Sequence, residues 1–171
     1  RILLLLMICI SKAIYNLGIR LYYILVWVAS FFNNKAKQFI VGRERKVEKI
    51  EGKIAWFHCA SLGEFEQAVP LISHLKQKDK DYKIVVTFFS PSGYEVKKNT
   101  SLADEVYYLP IDTKKNAKSW IEAINPSIVF FVKYEFWWHY LNELNKSAIP
   151  TYLVSSIFRK EQIFFKSHGL L

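Results

Sequence analysis

Apolar and polar positions alternate along this chain with two different periods. Residues 2–32 are mostly Leu, Ile, Tyr, Phe and Val, interrupted by Lys12 and Arg20. Ala13–Phe32 has the length of a bilayer-crossing helix, but with Arg20 inside it. Lys12, Asn16 and Arg20 stand at i, i+4 and i+8, one polar stripe on a helix. The segment is therefore expected to associate with a membrane, either spanning it or lying in its interface.

From Lys53 the pattern becomes regular. Short apolar runs of strand length occur at Lys53–Cys59, Lys83–Phe89, Glu105–Leu109, Ser127–Val132 and Thr151–Ser155. Between them, helical spacing is read over Gly63–Lys78, Ser92–Lys98, Thr113–Ile124 and Phe136–Lys146. Ser90 or Ser92 is placed to cap the second of these helices, and Asp112 or Thr113 the third. Strand and helix alternating in this way predict an α/β fold, a Rossmann-like parallel sheet with helices on both faces. Ligands in such sheets bind at the carboxyl ends of the strands. The loops to watch are residues 60–64, 90–93, 133–137 and 155–159.

Composition sharpens this picture. The chain has 171 residues, 51% apolar and 16% aromatic, enough for a core and unlike a disordered chain. Residues 1–50 hold nine basic and two acidic residues, whereas residues 51–171 hold fifteen and thirteen. The excess charge, in Lys35, Lys37, Arg43, Arg45, Lys46 and Lys49, thus sits beside the apolar N-terminus. This favours a membrane surface over nucleic acid. Two cysteines make no disulfide framework. The expected layout is a membrane-anchor helix over 1–34, a basic linker over 35–50 and a Rossmann-like domain over 51–171. The chain starts at Arg1 and stops after an aromatic run, so it is read as a fragment of a longer protein.

Four loops carry candidate chemistry. In the first, Ser61 and Gly63 open a helix whose amides suit an anion, and Glu64 suits a general base. A plain helix-dipole role is the competing reading of Glu64. In the second, Ser90 and Ser92 suit a phosphate or sugar, or simply turn and cap chemistry. In the third, Lys133 and Glu135 end an apolar strand and precede aromatics, where charged groups need a partner. In the fourth, Arg159 suits a phosphate or carboxylate. The four histidines lie at no metal-ligand spacing, so no metal is expected, and no phosphate-binding glycine motif occurs.

At these loops the chain resembles the N-terminal domain of the 3-deoxy-D-manno-octulosonic acid (Kdo) transferases. The matching stretches are 56–64 (WFHCASLGE), 87–95 (TFFSPSGYE), 108–112 (YLPID), 135–137 (EFW) and 149–154 (IPTYLV), with Gly42-Arg43 before them. The resemblance implies half of a GT-B glycosyltransferase that moves Kdo from CMP-Kdo to the lipid A precursor, lipid IVA, at the cytoplasmic face of the inner membrane. It also implies an inverting, metal-independent reaction with Glu64 as base and no cofactor. The donor domain would lie outside this chain. Ser61, Gly63, Ser90, Ser92, Lys133, Glu135 and Arg159 are the residues expected at the acceptor. Lys133 stands where the family has a glutamate, which suits contact with a lipid phosphate. The alternatives are another membrane-associated GT-B transferase and a non-catalytic, membrane-tethered binding module.

Overall fold

The computed structural model describes residues 2–45 and 47–157. Two helices come first, α1 (Ile2–Ala29) and α2 (Asn34–Val41), followed by a 3₁₀ turn at Gly42–Glu44. The α/β part is β1 (Lys53–Cys59), α3 (Leu62–Lys78), β2 (Tyr82–Phe88), α4 (Pro91–Lys97), β3 (Glu105–Tyr108), α5 (Lys114–Ile124), β4 (Ile128–Val132), α6 (Trp138–Lys146) and β5 (Thr151–Val154). All strands are parallel, in the order β3-β2-β1-β4-β5. This is a Rossmann-like sheet, and its order reverses between β1 and β4, the switch point at whose carboxyl edge such sheets bind ligands.

The central strands β1 and β2 are apolar on both faces because helices cover both. Trp56, Val85 and Phe131 face α5 and α6, with Trp120, Tyr140 and Leu144. Phe57, Cys59, Val86 and Phe88 face α3, with Phe65, Ala68 and Ile72. His58 and Cys59 thus point to opposite faces, as the strand period requires.

Of the stretch expected as a basic linker, residues 35–41 lie in α2 and 42–44 in the 3₁₀ turn. Asn33 caps α2 by accepting from the amides of Lys35 and Ala36. Phe39 and Ile40 pack with Ile111, Ile19, Val26 and Phe89. Arg43 does not belong to a solvated cluster. Its Nε donates to Leu109 O, Nη1 to Phe39 O and Nη2 to Phe89 O, at 2.9, 2.9 and 2.7 Å. Its guanidinium also lies 3.5 Å from the Phe39 ring centroid. Burial lowers its pKa to about 10.

Gly42 is required by packing, not by backbone conformation: its φ is −62°. A Cβ there would lie 2.2 Å from Tyr108 Cε2, and the Tyr108 ring is stacked on Tyr94 at 4.0 Å. Gly42→Ala is expected to lower stability by about 1–3 kcal/mol in urea unfolding.

Helix α1 is docked across the carboxyl edge of the sheet. Tyr15 donates to Asp112 Oδ2 at 2.5 Å, and Asn16 Oδ1 lies 2.6 Å from His139 Nε2. Tyr22 stacks on Phe89. Asn16, in the expected stripe of Lys12, Asn16 and Arg20, thereby serves the docked face. Leu17, Leu21, Leu25 and Phe32 stay exposed on the other side. No helix among the described residues is long and apolar enough to cross a membrane.

Candidate active site

The reversal of strand order brings the loop after β1 beside the loop after β4. Ser61 starts α3 in extended conformation, with its hydroxyl making no capping bond. Glu64, three residues on, folds back so that Oε2 accepts the Ala60 amide at 2.5 Å. This is one arm of a capping box, displaced by one residue. Gly63 has no positive φ, and a Cβ there would meet nothing within 4 Å. A tight turn is therefore not its reason; the space before it is open, as an approaching ligand requires.

Glu64 is half-buried, and its pKa is raised above the ordinary carboxylate value. Desolvation is the main cause, the Ala60 amide opposes it, and the Glu135 charge adds to it. His58 and Lys133 act in the opposite sense. These four ionisable groups therefore share one electrostatic neighbourhood.

Glu135 is held by a network that starts inside the core. Trp56 Nε1 donates to Thr87 Oγ1 at 2.8 Å, and Thr87 Oγ1 lies 2.9 Å from His58 Nδ1. Thr87 Oγ1 thus bridges the Trp56 and His58 side chains, and His58 Nε2 lies 3.4 Å from Glu135 Oε2. Trp137 Nε1 lies 2.8 Å from the same Glu135 oxygen and 3.1 Å from His58 Nε2. The shorter, charged acceptor takes that proton. His58 is fully buried, so the network anchors Glu135 from below.

Lys133 ends β4 with φ of 64°, a conformation that costs energy for a residue with a side chain. Its amide donates to Val154 O at 2.8 Å, and Ser156 Oγ donates to its carbonyl at 2.5 Å.

The second loop reaches this site by its backbone. The Ser90 amide donates to Ala60 O at 2.9 Å. Ser90 caps α4 through the Ser92 amide, and their hydroxyls lie 2.7 Å apart. Ser90 thus does capping work, and Ser92 supplies the capped amide. A Cβ on Gly93 would lie 2.3 Å from Phe88 Cδ1, so the start of α4 is clamped against the start of α3. Arg159 lies outside the described residues. Among the described residues no group of three or more His, Cys, Asp or Glu comes together to hold a metal.

His58, a histidine without a ligand-spaced partner in the sequence, lies beside Thr87 in the parallel register. Of the two caps expected for α5, Asp112 or Thr113, Thr113 fills the role. Asp112 instead accepts from the amides of His139 and Tyr140, capping α6 across the fold.

The charge coupling sets a pH prediction. Glu135 opposes ionisation of Glu64, so Glu135→Gln removes that opposition. If Glu64 acts as a base, the acidic limb of the kcat–pH profile is expected to move to lower pH. A limb that stays put or moves up would contradict the coupling.

An open parallel sheet with two carboxylates beside its switch point has the layout in which α/β domains bind ligands. Residues 33–166 match the family described as 3-deoxy-D-manno-octulosonic-acid transferase (kdotransferase), and the chain belongs to that family. It is 30% identical over 116 residues to the 3-deoxy-D-manno-octulosonic acid transferase of Chlamydia trachomatis serovar D, covering 67% of this chain and 27% of that protein. The transferases so named from Aquifex aeolicus and Haemophilus influenzae are 34% and 33% identical, over 48% and 56% of this chain and 23% and 22% of theirs. The chain thus spans about a quarter of the length of these relatives.

Proposed function

We propose that this chain is the acceptor-side part of an enzyme that transfers Kdo from CMP-Kdo to lipid IVA in lipopolysaccharide synthesis. The observation that carries the reading is the pairing of Glu64 and Glu135 at the switch point of a domain that belongs to the Kdo transferase family. Glu64 is the base. As the acceptor hydroxyl oxygen forms its bond to the anomeric carbon of Kdo, the hydroxyl proton passes to Glu64. The bond from that carbon to the CMP phosphate breaks with its electron pair, and CMP departs. Attack opposite the leaving group inverts the anomeric centre.

Partial burial supports this role, since a carboxylate whose pKa is raised toward neutrality is a better base. The Ala60 hydrogen bond orients Glu64 from one oxygen. Glu135, fixed by His58 and Trp137, is set to receive a hydroxyl of the acceptor sugar. Lys133 offers a cation to an acceptor phosphate. CMP-Kdo binding belongs to a GT-B donor domain beyond this chain.

The exposed apolar side of α1, flanked by Lys35 and Lys37, suits an interfacial seat on the cytoplasmic leaflet of the inner membrane. The test is Kdo transfer to lipid IVA by the complete enzyme, with the acceptor's phosphates present or removed. Transfer that depends on those phosphates supports the reading. No transfer by a folded enzyme that binds CMP-Kdo would overturn it.

A further inference from the structure

A stack of rings runs from the N-terminal helices to the carboxylate pair, and Phe89 is its hub. Phe89 follows the last residue of β2. Tyr22 of α1 stacks on its ring, with centroids 6.1 Å apart and planes 26° from parallel. Phe39 of α2 meets it edge-on at 5.2 Å. Arg43, in the 3₁₀ turn, donates to its carbonyl at 2.7 Å and lies 4.9 Å from its ring centroid. Trp137, just before α6, lies against the same ring at 4.8 Å, 33° from parallel. The Trp137 indole in turn donates to Glu135 Oε2 at 2.8 Å.

Trp137 stands between β4 and α6, outside both, so packing has to hold its ring. An indole has a single donor, and a hydrogen bond weakens steeply as it leaves linearity. A tilt of the ring therefore takes Nε1 off Glu135. Phe89 limits that tilt from one side, and Tyr22 and Phe39 limit the tilt of Phe89 in turn. Packed rings of this kind have few alternative arrangements while every member is present. Loss of Tyr22 opens the outer face of Phe89 and gives the stack a second arrangement, which is what coupling between distant residues requires. Helix α1 itself stays docked without that ring, because Tyr15 and Asn16 bond Asp112 and His139.

We propose that Tyr22 and Phe89 are positioning residues for the transfer reaction, holding Trp137 so that its indole fixes the Glu135 carboxylate. The role rests on the proposed transfer, in which Glu135 receives an acceptor hydroxyl. Helix α1 is then a support of the active site as well as a seat on the membrane. Neither residue touches the reacting atoms, and both act through the Trp137 donor.

The test joins steady-state Kdo transfer by the complete enzyme to the Trp137 indole N–H resonance of the 171-residue chain, assigned with Trp137→Phe. Tyr22→Ala is expected to lower kcat about three- to tenfold, and Phe89→Leu about tenfold or more. Tyr22→Phe, which keeps the ring, is expected to stay within about twofold of the parent. Once Trp137→Phe has removed the donor, Tyr22→Ala is expected to cost less than about twofold further. In the chain, Tyr22→Ala is expected to move the indole resonance toward its position in Glu135→Gln, and Tyr22→Phe to leave it in place. Losses that multiply when Tyr22→Ala and Trp137→Phe are combined would overturn the proposal, since Tyr22 would then act independently of the indole. So would a loss confined to the acceptor KM, the mark of a weakened membrane seat, or an indole resonance that Tyr22→Ala leaves unmoved. Should the parent enzyme transfer no Kdo, the proposed reaction fails, and the resonance alone decides whether Tyr22 holds Trp137. Should Phe89→Leu not fold, the Tyr22 variants decide.

Discussion

Glu64→Gln is expected to lower kcat for Kdo transfer by about 10²-fold or more in the complete enzyme, with the acceptor KM little changed. The substitution is nearly isosteric. The glutamine carbonyl can still accept the Ala60 amide, so the turn into α3 and its packing survive. What is lost is the ability to take a proton. An amide has no useful basicity, so the transition state must lose its hydroxyl proton to water. The two readings of Glu64 separate here. A residue that only completes the helix start would tolerate glutamine, which keeps the hydrogen bond and forgoes about 0.3–1 kcal/mol of helix-dipole interaction. Unchanged transfer with an unchanged melting temperature would therefore remove Glu64 as the base. A large loss with an unchanged melting temperature would identify it as one.

Asp112→Ala is expected to destabilise the fold by about 3 kcal/mol or more, read as a lower urea midpoint. Asp112 is 1% exposed, and its carboxylate accepts from Tyr15 Oη and from the amides of His139 and Tyr140. Alanine leaves two amides at the start of α6 and a half-buried phenol without their acceptor. Each such loss costs about 1–3 kcal/mol, and the losses are not fully additive because water can enter as α1 loosens. Asp112→Asn keeps one oxygen and is expected to recover part of the loss. Burial and the Asp112 hydrogen bond both push the Tyr15 hydroxyl pKa well above its ordinary value, so it remains a donor at any working pH. A midpoint within error of the parent would mean that α6 is capped by something else.

Much of this was legible in the sequence because it is local. The five strands and four later helices are signalled by apolar period, turn residues and caps within each segment, and their limits fall within one or two residues of the expected ones. Glu64 and Glu135 were also legible, since the sheet rule places both loops at the carboxyl edge. What was hidden depends on distant partners. Eight residues of α2, four of them Lys, Asn or Gln, look like linker until Phe39 and Ile40 find Ile111. Arg43 resembles its basic neighbours, and only the carbonyls of Phe89 and Leu109, 46 and 66 residues away, give it a buried role. Asp112 beside Thr113 offers two caps for one helix, and the sequence does not say that Asp112 serves α6. Asn16 reads as part of a polar stripe because nothing nearby in sequence reveals His139.

The clasp between α1 and the sheet has a consequence for how the molecule is made. Tyr15 and Asp112 are 97 residues apart, and Asn16 and His139 are 123 apart. During synthesis α1 emerges while its partners on the β3 and β4 loops do not yet exist, and such distant contacts close late. For that interval the nascent helix carries Tyr22, Ile19 and Val26 uncovered as well as its permanently exposed side, an unsheltered apolar cylinder at the ribosome exit. Early lodging of this helix on a bilayer or a chaperone would therefore govern yield.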